Sequence, residues 1–300
     1  MLQQTRATAV IPYFERFLAR FPNVRALATA RERDLLAAWA GLGYYSRVRN
    51  LQRAARQIDD LGEFPTDYAS LRSLAGIGDY TAAAIASIAF DQPHAVLDGN
   101  VVRVLSRFTG EAGNVSSSAV RKQLLQTAQY LLDPRRPSEF NQAMMELGAT
   151  VCLPKQPRCP ECPLGDNCVA LQLGRQQELP VKSAPPIASR VNKKLLVIEN
   201  ANRILMWQRP GESMRLAGFW ELPESGHLTG VQLGSKIGKF RHTIVNTNFH
   251  FEVYRAAVKA VPNNFHWMLK KKLDVIPVST VSTKALMQTG ITITKKTLVR

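Results

Sequence analysis

Cys152-Leu153-Pro154-Lys155-Gln156-Pro157-Arg158-Cys159-Pro160-Glu161-Cys162-Pro163-Leu164-Gly165-Asp166-Asn167-Cys168 holds all four cysteines of the 300-residue chain, spaced C-x6-C-x2-C-x5-C. Four thiolates so close together form a ligand set for one [4Fe–4S] cluster, which takes four cysteines. Disulfides, a zinc site and chance are the other readings. Disulfides need an oxidising compartment, and the N-terminus carries no signal-peptide pattern. Structural zinc favours two short C-x2–4-C pairs at the ends of a longer loop. Here only Cys159 and Cys162 are paired so closely, and gaps of six and five suit a bulkier group. The spacing favours iron–sulfur over zinc.

A chain of 300 residues predicts about two domains. Its 45% hydrophobic content suffices for ordinary cores. No run of eighteen apolar residues occurs, so no transmembrane helix is expected. The net charge of +16 is uneven: +3 over residues 1–180 and +13 over residues 181–300. Such a balance fits a polyanionic partner, nucleic acid foremost, or a solvated basic surface that includes Lys270, Lys271 and Lys272.

Residues 1–172 read as helical. Val10 to Leu18 and Leu35 to Ala40 are apolar stripes at helical spacing, the second ended by Gly41 and Gly43. Thr81–Phe90, Val120–Leu132 and Phe140–Val151 supply further helices. Pro180, Pro185 and Pro186 mark residues 173–189 as a linker. Beyond it, Lys194–Ile198 and Ile204–Trp207 flank Asn200-Ala201-Asn202 and predict a hairpin. Phe249, Phe251 and Val253 alternate with polar residues, as in a half-buried strand. An all-helical domain thus precedes a smaller α+β one.

Two strings carry chemistry. In Leu74-Ala75-Gly76-Ile77-Gly78-Asp79-Tyr80-Thr81, a glycine pair before a helix lets backbone N–H groups approach a phosphate. That is the logic of a helix-hairpin-helix clamp, although an ordinary helix–helix turn also uses glycines. In Val96-Leu97-Asp98-Gly99-Asn100-Val101, the aspartate is either a helix N-cap or a carboxylate held against a reacting sugar. The string does not decide between them.

The order hairpin, Asp98 and C-x6-C-x2-C-x5-C resembles the helix-hairpin-helix DNA glycosylases of the endonuclease III superfamily. Met1-Leu2-Gln3-Gln4-Thr5, Ile11-Pro12-Tyr13-Phe14, Gly41-Leu42-Gly43-Tyr44-Tyr45-Ser46-Arg47, Leu97–Val101 and Phe140–Ala149 narrow it to the adenine-specific (A/G) branch. The resemblance covers residues 1 to about 172. It implies removal of adenine mispaired with 8-oxoguanine or guanine, by monofunctional hydrolysis of the N-glycosidic bond in base-excision repair. By position, Asp98 is implied to stabilise the oxocarbenium-like sugar, with Asn100 orienting the site. Tyr80 stands where bifunctional relatives place a nucleophilic lysine, so no Schiff base is expected. Gln142 is implied near the flipped adenine. Gln3, Gln4, Thr5, Leu42 and Tyr44 are implied at the duplex, Gln4 and Tyr44 as wedges that help the base leave the stack. Gly76, Gly78, Lys155 and Arg158 are implied on phosphates. Cys152, Cys159, Cys162 and Cys168 are implied to hold a [4Fe–4S] cluster that shapes a DNA-binding loop and performs no redox step.

The implied architecture is mainly α. Residues 1–97 would form a six-helix barrel with the helix-hairpin-helix, its first helix missing. Residues 98–172 would form an iron–sulfur subdomain, 173–189 a linker, and 190–300 a Nudix-like 8-oxoguanine recognition domain. Ile204–Pro210 and Ala217–Pro223 resemble the opening of that last domain, without the catalytic Nudix glutamates after Pro223. Phe240-Arg241-His242-Thr243 begins like the family's lesion-reading loop, which places Thr243 and Asn246 at the lesion. Ile244-Val245-Asn246 then stand where the family commonly has Phe-Ser-His. The expected partner is duplex DNA with 8-oxoguanine:adenine mispairs, bound by a monomer, away from membranes. The expected location is the cytoplasm of a bacterium, or the nucleus or mitochondrion of a eukaryote.

The family's general acid is a glutamate two residues before the methionine of M-L-Q-Q-T, the residue at which this chain begins. An internal start and a non-catalytic lesion-binding relative are the two explanations, and upstream sequence discriminates them. An endonuclease III-like lyase is a third function, opposed by Tyr80. A general acid contributes ~10²–10⁴-fold to rate. The 300-residue chain is therefore expected to bind 8-oxoguanine:adenine duplexes but release adenine that much more slowly than a chain extended upstream. Equal, fast single-turnover release from both would show that another group is the acid.

Overall fold

The computed structural model describes residues 1, 7–184, 188–213 and 215–291. Gln3, Gln4 and Thr5 lie outside the described residues. Two compact units group residues 1–59 with 186–300, and residues 60–185.

The first unit begins with α1 (Ala7–Arg20), α2 (Val24–Ala28), α3 (Glu32–Trp39) and α4 (Ser46–Leu61). Val10, Phe17, Phe21, Leu35, Leu36 and Trp39 share one core, the periodicity expected of amphipathic helices. Phe219, fully buried, joins this core from the other half of the unit. Its ring lies 4.1 Å from that of Tyr45. Arg49 adds a polar tie, donating to the Ala217 carbonyl at 2.6 Å while pairing with Glu32 at 2.6 Å.

The strands are β1 (Ser189–Val197), β2 (Glu199–Asn200), β3 (Arg203–Gln208), β4 (Trp220–Glu221), β5 (Val231–Ile244), β6 (Thr247–Val258) and β7 (Phe265–Leu269). A helix, Thr280–Met287, follows them. β1, β6 and β5 form one sheet in that order, β1 parallel and β5 antiparallel to β6. β3 pairs with β2, β4 and β7 in the other. The α+β expectation for this half holds, but its hairpin is reduced to β2 and β3. Lys194–Val197 instead belongs to β1 and pairs with β6. The reason is burial on both faces: Leu195 and Val197 enter one core, Leu196 and Ile198 another. A continuous apolar run of this kind does not reveal its partner.

The second unit is helical: α5 (Tyr68–Ser73), α6 (Asp79–Phe90), α7 (Gly99–Thr109), α8 (Ser118–Leu131), α9 (Pro137–Thr150) and α10 (Val169–Gln172). Val101, Val102, Val104, Leu105, Leu124, Ala128 and Met144 form its core. α7 carries the densest share, buried along most of its length. The segment after α10 packs here too. Leu179 is buried, and the Val115 N–H donates to the Val181 carbonyl at 2.9 Å. No described helix is long and apolar enough to cross a membrane.

Phe219→Ala should cost about 3–5 kcal/mol through loss of burial and the cavity left. Calorimetry should find the first unit melting at lower temperature. A loss below about 1 kcal/mol, an ordinary value for a point change, would contradict this packing.

Candidate active site and cysteine loop

Asp98 is the N-cap of α7. Its Oδ1 accepts from the Asn100 and Val101 N–H groups, both at 2.8 Å. Its Oδ2 accepts from Asn100 Nδ2 at 3.2 Å. The N-cap reading of this aspartate holds, and these bonds fix its carboxylate.

The extended segment before Asp98 is clamped by side chains. Asn141, buried on α9, donates to the His94 carbonyl at 2.9 Å and to Ser87 Oγ at 2.8 Å. It also accepts from the Val96 N–H at 3.1 Å. Gln129 accepts from the Ala95 N–H at 3.0 Å and donates to the Pro93 carbonyl at 2.8 Å. Tyr80, in the first turn of α6, approaches from another side, its hydroxyl 3.8 Å from Met145 Sδ. Burial first, and then the Asp98 carboxylate, raise the Tyr80 phenol above its ordinary value. It stays protonated at neutral pH and can act only as a neutral hydroxyl.

Behind Asp98, α7 presents two buried arginines. Arg103 Nη2 donates to Asn100 Oδ1 at 2.9 Å and to the Gly148 carbonyl at 2.6 Å. Its Nε donates to the Cys152 carbonyl at 2.7 Å. Arg107, 2% exposed, donates to the carbonyls of Leu179 at 2.9 Å and Leu153 at 2.7 Å. Its Nη1 also lies 3.2 Å from Cys152 Sγ. A buried guanidinium is costly unless its donors are satisfied. These are satisfied by carbonyls, an amide and a sulfur.

All four cysteines line one small cavity of about 30 Å³, with Arg107, Val104, Leu147, Leu164 and Leu171 around it. None is in a disulfide. Burial first, then Cys168, Cys152 and Cys162, raise the Cys159 thiol above its ordinary value, as expected where sulfurs converge. Short turns at Cys159–Glu161 and Gly165–Asn167 lie between the last three. Among the described residues, no group of three or more His, Cys, Asp or Glu side chains is placed to hold a metal ion. Four converging thiols, apolar walls and a buried cation form a donor set suited to a multi-iron group.

The remaining sequence-predicted residues fall in several places. Gly76 has φ +77°, a conformation glycine adopts without strain, and Gly78 is the N-cap of α6. Lys155 and Arg158 are exposed on the cysteine loop, Arg158 3.7 Å from Glu161. Gln142 is exposed on α9 and donates to Ser138 Oγ at 3.0 Å. In the first unit, Tyr44 is 57% exposed at φ +47°, a strained value for a non-glycine residue, with the Arg47 guanidinium 5.3 Å from its ring centre. Leu42, expected at the duplex, is buried in the helical core, where it packs among apolar neighbours. Thr243 and Asn246 are exposed near the β5–β6 hairpin tip, and Thr243 Oγ1 lies 2.8 Å from Asn248 Oδ1. Sequence reasoning missed Arg103, Arg107, Asn141 and Gln129. The available signal was charge inside the apolar run Val101-Val102-Arg103-Val104-Leu105-Ser106-Arg107.

In sequence and fold the chain is similar to known proteins. Residues 1–129 match the family described as HhH-GPD superfamily base excision DNA repair protein. Adenine DNA glycosylase of Mus musculus is 46% identical, over 95% of this chain and 69% of its own length. That of Homo sapiens is 34% identical, over 95% of this chain and 65% of its own. A thermostable thymine-DNA glycosylase structure aligns over 57% of this chain and 80% of its own, with 26% identity and a TM-score of 0.52. The chain belongs to the adenine DNA glycosylase family within the helix-hairpin-helix superfamily. It spans about two thirds of the length of these two relatives.

Gly148 is where α9 crosses the start of α7: an added Cβ would lie 2.6 Å from Asn100 Cβ and 3.0 Å from its carbonyl oxygen. Gly148→Ala should therefore destabilise the second unit by about 1–3 kcal/mol, although alanine is the better helix former. A thermal melt at or above the wild-type midpoint would contradict the close crossing.

Proposed function

We propose that this chain is a DNA N-glycosylase that acts on adenine mispaired with 8-oxoguanine or guanine. The observation that carries the proposal is the Asp98 carboxylate, fixed by two backbone N–H groups beside the neutral Tyr80 phenol. The glycosidic C–N bond breaks with its electron pair passing to adenine, and the departing base takes up the proton that the hydrolytic water gives up. Asp98 faces the positive charge that develops on the sugar, where a preorganised anion is most effective. Water then supplies the hydroxyl that caps the sugar carbon. Asn100 holds the carboxylate's orientation. With tyrosine at position 80 there is no amine for a covalent lyase intermediate.

Gly76 and Gly78 offer backbone donors at the start of α6 to a phosphate, without reading sequence. Tyr44, exposed and stiffened by Arg47, suits a wedge that holds the gap left by a flipped base. Thr243 and Asn246 on the β5–β6 hairpin are the proposed lesion readers of a Nudix-like recognition domain. Cys152, Cys159, Cys162 and Cys168 would hold a [4Fe–4S] cluster, with Arg107 offsetting thiolate charge. When bound, that group would brace the loop bearing Lys155 and Arg158 against the phosphate backbone. The names of the relatives, adenine DNA glycosylases of mouse and human, support the choice of base.

The direct test is single-turnover adenine release from an 8-oxoguanine:adenine duplex, scored against the slow release expected of the 300-residue chain itself. Asp98→Asn keeps a good N-cap, so folding and duplex affinity should persist while release falls at least about 10²-fold. Release unchanged in the variant would exclude Asp98 from the chemistry.

Protein purified without oxygen should be brown, with about four irons per chain for this cluster type. A colourless preparation carrying stoichiometric zinc would contradict the cluster assignment.

Gly78→Val should weaken binding to every duplex alike, and Tyr44→Ala chiefly to lesion-containing ones. Equal proportional losses on all duplexes from both changes would contradict this division of roles.

A further inference from the structure

The short helix α5, ahead of the Gly76–Gly78 turn, is tied in two directions. Toward α6, Tyr68 and Arg72 stand one helical turn apart on α5 and so share a face. Both reach Asp79, the first residue of α6. Arg72 Nε donates to its Oδ1 at 2.5 Å, and the Tyr68 hydroxyl donates to the same oxygen at 3.3 Å. The glycine turn is thereby closed across its base. The hydrogen bond from Arg72 holds the Asp79 carboxyl below its ordinary value, so the acceptor stays charged. Burial first, then Asp79, raise the Tyr68 phenol above its own, so the donor keeps its proton.

The other direction leads toward Asp98. The Tyr68 ring stacks on the His94 ring, with centres 4.6 Å apart and planes inclined by 21°. Aromatic pairs in this range attract beyond their burial. A second tie runs beside the first: Gln92 Nε2 donates to the Thr66 carbonyl at 3.1 Å, just ahead of α5. Gln92 and His94 open the segment that ends at Asp98. Past His94 that segment has no slack. Ala95, Val96 and Leu97 are buried, and the N–H groups of the first two are held by Gln129 and Asn141. From the hairpin to the carboxylate the path is thus a hydroxyl, a ring pair and a braced length of backbone.

We propose that Tyr68 is a positioning residue: through its stack on His94 it passes the restraint of the phosphate-gripping hairpin to the segment that sets Asp98. The inference rests on the DNA glycosylase reading above. A phosphate held at Gly76 and Gly78 restrains α5 and α6 together. α6 carries Tyr80 directly, and the ring pair gives α5 its own connection to Asp98. Phosphate contact reads no sequence, yet by this link it steadies the carboxylate, whose placement governs the rate of the chemical step.

The test is amide hydrogen exchange of the full chain with and without an undamaged duplex. In the wild type, duplex should slow exchange at the hairpin and also, at least about fivefold, at Ala95 and Val96, the lower range for coupling between sites. In Tyr68→Leu the slowing at the hairpin should persist and that at Ala95 and Val96 should vanish. His94→Ala removes the same stack from its other side and should act alike, so the result does not hang on the folding of one variant. Tyr68→Phe keeps the ring and should keep the slowing. Adenine release at saturating protein should fall at least about tenfold in Tyr68→Leu, relative to the same chain unaltered, and recover in Tyr68→Phe, while duplex affinity persists. Slowing at Ala95 and Val96 that survives both Tyr68→Leu and His94→Ala would overturn the proposal. So would equal loss of slowing at the hairpin and at Ala95 and Val96, the mark of a merely structural role. Should the exchange pattern hold while the wild-type chain releases no adenine, the glycosylase reading falls and the link stands. Should the chain release adenine while neither variant alters the pattern, the link falls alone.

Discussion

The second unit depends on the charge buried in α7. Arg103 and Arg107 sit inside an apolar helix, where an unsatisfied guanidinium would cost several kcal/mol. Their donors reach the backbone of Gly148, Cys152, Leu153 and Leu179, which are far apart in sequence. Satisfying two cations thus fixes the end of α9, the start of the cysteine loop and the segment beyond α10. The same helix begins at Asp98. One element therefore carries the Asp98 carboxylate at its N-terminus and the clamp on the cysteine loop along its length. The link between them is short: Asp98 to Asn100, Asn100 to Arg103, Arg103 to the Cys152 carbonyl.

That economy explains why the local strings are so informative. A capping aspartate, a glycine turn and four clustered cysteines each do their work within a few residues. Their local geometry is therefore legible in sequence before any fold is known. α6, α8 and α9 were equally legible, because helical periodicity is a local property, whereas the short α5 and α10 were not. Tyr44 and Leu42 show the limit. Both belong to one short string, yet one is exposed on a strained backbone and the other is buried in the core. Only packing separates them.

Other features depended on partners distant in sequence. Arg103 and Arg107 are masked by the apolar residues around them. Asn141 and Gln129 look like ordinary polar positions until the segment Pro93–Leu97 is laid beside them. β5 was not legible, because Gly234, Ser235, Lys236 and Gly238 break its alternation where the register shifts against β6. β1 announced a strand but not its partner. Phe219 resembled part of a recognition-domain opening, and its burial against Tyr45 follows from the pairing of residues 1–59 with the C-terminal segment.

The central claim is that Arg103 transmits the position of the cysteine loop to Asp98. Arg103→Gln tests it when adenine release and iron content are measured on the same preparation. Arg107 and the four cysteines remain in that variant, so iron should stay near the wild-type level and duplex affinity should persist. Adenine release should nevertheless fall at least about tenfold, the effect of misplacing a catalytic group. Wild-type release from an iron-loaded Arg103→Gln protein would contradict the account.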